Sequence, residues 1–174
     1  LLGLEAANGL MLRGMDVTVV HVMPWLMERQ LDDTAGKLLQ KSLEARGIRF
    51  EIGAHTEALI PDKDGRVMAI RFKDGRELPA DLLVMAVGIR PNVALAKAAG
   101  LVVNRGVVVD DGLATSDPAI LAVGECVEHR GTCYGLVAPL YEMAKVVAAR
   151  LAGDSDAAYA GSVTSTKLKV TGIS

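Results

Sequence analysis

Leu1–Val22, LLGLEAANGLMLRGMDVTVVHV, is the stretch whose reading decides the fold. It reads as a helix over about Leu1–Arg13 followed by a buried strand, rich in β-branched residues at Val17, Thr18, Val19, Val20 and Val22. Gly3 is followed by a small residue, Ala7, four places on, and by Gly14 eleven places on. That spacing is the back half of a dinucleotide-binding βαβ unit. Gly3 permits close packing of helix and strand, Ala7 keeps the helix thin, and Gly14 supplies the positive φ that ends it. The front half, a strand and two glycines, would lie before Leu1. The chain is therefore expected to be an N-terminally truncated fragment of a longer protein. A generic amphipathic helix and strand in another α/β protein is the competing reading.

The composition bounds what this unit belongs to. Hydrophobic residues make up 51% of 174 residues but aromatics only 3%, so the core is aliphatic, as buried parallel strands and flanking helices prefer. The formal net charge is −2, with no Lys/Arg run to hold nucleic acid. No apolar run approaches the ~18 residues of a membrane span. The apolar N-terminus lacks a basic region and contains Glu5, so it is not a signal peptide. Cys126 and Cys133 match no common zinc or redox spacing and read as free thiols of a cytoplasmic protein.

Beyond Val22 the pattern continues as α/β. His21 stands near the end of the first strand, where a dinucleotide fold often carries an acid for the adenosine ribose. It is a candidate cofactor contact or a structural residue, and the nearby Arg29 leaves NADP open beside NAD. Met23–Gln30 reads as a connecting loop, with Trp25 filling a hydrophobic gap. Asp32 or Asp33 can cap a helix over Thr34–Arg46, and Ile48–Ile52 is a strand. The period then changes. Thr56–Ile60, Arg66–Lys73 and Arg76–Pro79 read as an antiparallel meander turned at Asp64-Gly65 and Asp74-Gly75.

Asp81–Val87 is a nearly unbroken apolar run, expected to be a strand buried on both faces and ending at Gly88. Gly88 is either a plain turn or a point of close backbone approach to a ligand. A short helix over Leu95–Ala99 and a strand over Val107–Asp110 follow. Thr115, Asp117 and Pro118 set a turn, and Ile120–Val123 is expected as a buried strand closed by Gly124, Glu125 and Cys126. A carboxylate there can accept hydrogen bonds from a ligand hydroxyl. The last helix starts near Ala138-Pro139 and runs to Leu151, its N-terminus offering N–H groups and a positive dipole. After Gly153 the composition becomes small and polar, with Ser165–Val170 as a candidate strand.

The order of these pieces resembles the FAD-dependent pyridine nucleotide-disulfide oxidoreductase superfamily over about Leu1–Gly153. The segments carrying the resemblance are the βαβ remnant, the meander, AVGIRPN and TSDPAILAVGE. Finer details are similar to one branch, the large subunits of NAD(P)H-dependent nitrite reductases: LLGLEAANGL, VTVVHVMPWLMERQLD, Gly124–Cys126, YGLVAPLYEMAK and STKLKV. The resemblance implies a Rossmann-like FAD/NAD(P)-binding fold with a parallel sheet and an inserted three-stranded meander. It divides the chain into an NAD(P)H-binding domain at 1–92, the C-terminal part of an FAD-binding domain at 93–153, and a linker with the start of a further module at 154–174.

It also implies roles. Gly3 would be the last glycine of the NAD(P)H fingerprint, and Glu5 would face the nicotinamide region. Gly88 would sit in the glycine segment after the meander. Thr115, Gly124 and Glu125 would belong to the second FAD segment, where the family usually has Asp in place of Glu125. The start of the Pro139 helix would stabilise negative charge on the reduced flavin. The implied function is an electron-entry module that passes electrons from NAD(P)H through FAD to a downstream sirohaem and iron–sulfur centre. Those two centres are expected only in the full-length protein, because two cysteines cannot supply a four-cysteine cluster. Cys126 reads as a buried thiol, and no protein group is needed as a general base. A ferredoxin- or rubredoxin-type FAD reductase, or a non-catalytic nucleotide-binding fragment, are the alternatives. The missing first strand predicts an exposed sheet edge that promotes association or instability, and a homodimer is one assembly open to the chain.

Overall fold

A computed structural model describes residues 1–170 and 172. They form two compact units. The first is Leu1–Val87 together with the described residues from Lys167 on, and the second is Gly88–Thr166.

The first unit opens with α1, Leu2–Leu12. Its end follows from Gly14 at φ +82°: the Gly14 amide donates to Met11 and the Met15 amide to Leu10, satisfying carbonyls that the last turn would leave open. β1, Thr18–His21, pairs in parallel with β2, Arg49–Ile52, in a register that sets Thr18 against Arg49 and His21 against Ile52. The crossover is α2, Asp33–Glu44, capped by the Asp32 carboxylate accepting from the Ala35 amide at 2.8 Å. Leu39 and Leu43 of α2 share a core with Leu4 and Ala7 of α1, Val17, Leu26 and Ile48.

The meander is present as β3 (Thr56–Pro61), β4 (Val67–Phe72) and β5 (Glu77–Pro79), an antiparallel sheet in that order. Its first turn is built by Asp62, whose Oδ1 accepts from the amides of Asp64 at 2.8 Å and Arg66 at 2.9 Å. Gly65 and Gly75 both take positive φ.

Three expected strands are absent as ladders. Asp81–Val87 pairs with no other described strand and is largely exposed, Met85 at 75% and Val87 at 91%. A ladder needs a neighbour, and β1, the parallel strand of this unit, is hydrogen-bonded to β2 alone among the described strands. Ile120–Val123 reduces to a single bridge between Leu121 and Ala114, with Ile120 and Val123 half-exposed. There the Thr115 amide donates to Ile120 and the Ala122 amide to Leu113, so the chain doubles back on itself before a strand can extend. Ser165–Val170 joins no sheet among the described residues, and Val170 is buried in the core of the first unit with Leu168 against it.

The second unit contains α3 (Ala94–Ala98), β6 (Val107–Val109), β7 (Val127–His129) and α4 (Val137–Leu151). β6 and β7 pair in parallel. The sequence reading missed β7 because Val-Glu-His shows no apolar run. All three residues are nevertheless buried. The Glu128 carboxylate accepts the amides of Arg105 at 2.9 Å and Gly106 at 3.0 Å, and the Asn104 side chain at 3.3 Å. The Gly106 amide above all, with the Asn104 side chain and the Arg105 amide, holds the Glu128 carboxyl below the ordinary carboxylate range, against burial. His129 Nε2 meets the Asp111 carboxylate at 2.9 Å, and its ring lies 4.8 Å from that of Tyr159. Val109, Leu113, Val127, Met143 and Tyr159 form the core.

Candidate functional site

In the first unit the candidate residues lie at the start of α1 and the end of β1. Gly3 is in the first turn of α1, and a Cβ there would sit 3.2 Å from the Cβ of Ala86. That is closer than an ordinary contact, so the glycine sets how near the helix approaches the Asp81–Val87 segment. Leu1, the N-cap of α1, makes no side-chain hydrogen bond, which leaves the first-turn amides uncapped by any side chain. Glu5, in the same turn, accepts the Lys169 amide on Oε1 at 2.8 Å.

His21 closes β1. Its Nε2 lies 3.0 Å from the Trp25 carbonyl and 3.4 Å from a Glu28 carboxylate oxygen. The loop that carries Glu28 is tightly made. Trp25 Nε1 donates to the Leu31 carbonyl at 3.0 Å, and Leu26 is 2% exposed. Met27 takes a left-handed φ of +56°, unusual for a side chain of its size. Gly36 of α2 packs against Trp25 and Leu26 of the same loop, where a Cβ would come within 2.6 Å of Trp25 Cδ1 and 2.9 Å of the Leu26 carbonyl. Read from sequence alone, Met23–Gln30 is a connection in which Glu28 has no assigned role. The available signal was a carboxylate a few residues beyond a strand whose terminal position lacks one.

In the second unit Gly88 has φ +83° and Gly124 φ +104°, both with open space where a Cβ would stand. Thr115 Oγ1 donates to the Asp117 carbonyl at 3.0 Å and accepts the Asp117 amide at 3.2 Å, so its hydroxyl closes its own turn. Glu125 is exposed. Pro139 is buried in the first turn of α4, whose N-cap Leu136 supplies no side-chain bond. Cys126 and Cys133 are free thiols, and burial pushes the Cys133 thiol up. Among the described residues no group of three or more His, Cys, Asp or Glu is placed to hold a metal ion, and no helix is long and apolar enough to cross a membrane.

These features fit nucleotide binding: a glycine at the helix–segment approach, uncapped first turns on α1 and α4, and open left-handed glycines at Gly88 and Gly124. The class is a dinucleotide-binding α/β protein with an inserted antiparallel meander. The chain belongs to the pyridine nucleotide-disulphide oxidoreductase family, whose pattern matches residues 1–153. It is 57% identical over 173 residues to the nitrite reductase [NAD(P)H] of Bacillus subtilis, covering 99% of this chain and 21% of that protein. The assimilatory nitrate reductase electron transfer subunit of the same organism is 51% identical, with 99% and 22% covered. A ferredoxin reductase from Rhodopseudomonas palustris superposes with a TM-score of 0.81 at 34% identity, over 88% of this chain and 39% of that one. The Bacillus anthracis CoADR-RHD structure gives 0.87 at 26% identity, over 98% and 31%. The chain thus spans about a fifth of the length of the first two relatives.

Proposed function

We propose that this chain is the electron-entry part of an NAD(P)H-dependent nitrite reductase. The observation that carries the reading is the 57% identity, sustained over 99% of the chain, to a nitrite reductase. In this reading residues 1–92 hold the nicotinamide nucleotide and 93–153 hold part of FAD, with 154–174 leading toward a further redox module. When bound, the nucleotide and FAD supply hydride and electron transfer, and the chain positions and tunes them. Sirohaem and an iron–sulfur cluster belong to the full-length protein. A cytoplasmic location and self-association into a homodimer are parts of the same proposal.

The chain's own groups have separate tasks. Gly3 lets α1 lie close to the 81–87 segment, and the uncapped first turn that contains it offers phosphate its amide donors and the positive dipole end. The Glu5 carboxylate, oriented by the Lys169 amide, receives the carboxamide end. His21 lines the ribose end of the same crevice. In the second unit Gly88 and Gly124 keep the backbone open to close approach. The Thr115 turn holds the Gly124 approach in place, and the exposed Glu125 carboxylate accepts ribityl hydroxyls. The start of α4 at Pro139 presents its dipole to negative charge on the reduced ring.

Trp25, the only tryptophan, gives the test. NADH added to the purified chain should quench its emission saturably, and added FAD should develop bound-flavin absorbance. Absence of both responses overturns the reading. A saturable NADH response without flavin uptake restricts the function of this chain to nucleotide binding.

A further inference from the structure

We infer that Glu28 supplies the carboxylate for the adenosine ribose at the end of β1, and that it selects NADH over NADPH. The inference rests on the nucleotide-binding reading of the first unit and assigns its unfilled subsite. The position that often carries an acid is His21, which offers none. The chain returns an acid to that place from seven residues further on: Glu28 lies 3.4 Å from His21 Nε2.

Three features make this a built arrangement. Met27 holds a left-handed backbone, a conformation that costs free energy in a non-glycine residue, immediately before Glu28. Trp25 pins both ends of the loop through its carbonyl to His21 and its indole N–H to Leu31. Gly36 leaves room for that indole and for no side chain of its own.

The hydrogen bonding leaves Glu28 able to accept. A carbonyl cannot donate, so the 3.0 Å contact requires His21 Nε2 to carry the hydrogen that Trp25 receives. The longer 3.4 Å approach to Glu28 orients the carboxylate without consuming its lone pairs. Two ribose hydroxyls can then donate to it. A 2′-phosphate in the same place would meet a negative charge. Arg29 carries the opposite preference, but it is exposed, and among the described residues no hydrogen bond or ion pair fixes it. The Glu28 side chain is three-quarters covered, at 26% exposure, and solvent screens it less than it screens Arg29.

The experiment titrates the purified chain with NADH and with NADPH, following Trp25 emission. NADH is expected to bind at least about tenfold more tightly, the worth of one charge-assisted hydrogen bond. Glu28→Gln should bring the two affinities within about threefold, by the same measure. Glu28→Lys should reverse their order. Equal affinities in the unmodified chain, a preference for NADPH, or a ratio unmoved by both substitutions would overturn the assignment while leaving nucleotide binding intact. Binding of neither nucleotide would overturn the nucleotide-site reading and this assignment with it. The unmodified chain decides the ratio even if a variant fails to fold.

Discussion

Single residues here do work that their types alone do not announce. Gly36 is helical and should favour alanine by about 1 kcal/mol on propensity. Its missing Cβ, however, is the space Trp25 Cδ1 and the Leu26 carbonyl occupy. Gly36→Ala should therefore destabilise the first unit by about 1–3 kcal/mol, because one of the two obstacles is backbone and cannot swing away. Urea unfolding followed by Trp25 fluorescence checks this, and the emission should also shift as the indole is displaced. Asp111 makes a prediction in pH. The Arg130 guanidinium first, and then His129, hold its carboxyl down to about 2 from an ordinary 3.8. A carboxylate whose folded pKa is depressed binds its proton more readily when unfolded. Its contribution is present above pH 3.8 and is lost as pH falls toward 2. Asp111→Asn should flatten the decline of the melting temperature across that window. The slope should keep a remainder from Glu128, whose carboxyl is also held low, chiefly by the Gly106 amide. An unchanged slope would count against the Arg130–Asp111–His129 cluster as a stabilising unit.

At the scale of elements, the pairing of β6 with β7 depends on a backbone cradle. A Cβ on Gly106 would come within 2.8 Å of the Glu128 nitrogen, 2.9 Å of the Cys126 carbonyl oxygen and 2.9 Å of the Val127 carbonyl carbon. All three obstacles are main chain, and the amide that Glu128 accepts belongs to Gly106 itself. Gly106→Ala is expected to cost the second unit about 3 kcal/mol or more by forcing the two strands apart and loosening a buried carboxylate. Hydrogen exchange should show the largest loss of protection at the amides of Val107–Val109 and Val127–His129. The meander behaves differently. Its turns are specified by Asp62, Gly65 and Gly75 acting locally, which is why its three strands were legible in advance to within a residue or two.

For the molecule as a whole, the informative feature is the exposed run Leu82, Val84, Met85 and Val87, between 53% and 91% exposed. Contiguous apolar surface with unpaired backbone is a site for association. Met85→Lys should lower the apparent mass of the chain at high concentration while leaving the melting temperature of a dilute sample unchanged, as light scattering and a dilute melt would report. A monodisperse unmodified chain at all concentrations would remove the basis for this expectation.

Local chemistry made a large part of this protein readable from its residues. The helix–strand pair of the first stretch, the Asp32 cap, the aspartate–glycine turns and the family itself all rest on interactions spanning few residues or on a compact motif. Tertiary structure decided the rest. It left Asp81–Val87 without a ladder and reduced Ile120–Val123 to a single bridge, since pairing depends on which backbone lies alongside. It seated Val170 in the core formed by Leu4 and Leu43, and brought the Lys169 amide to Glu5 across 164 positions. It turned Glu28 back onto His21 through a left-handed Met27. Charge, hydrogen-bond direction and burial at these places are set by which groups the folded backbone brings alongside one another, and sequence spacing by itself does not fix that proximity.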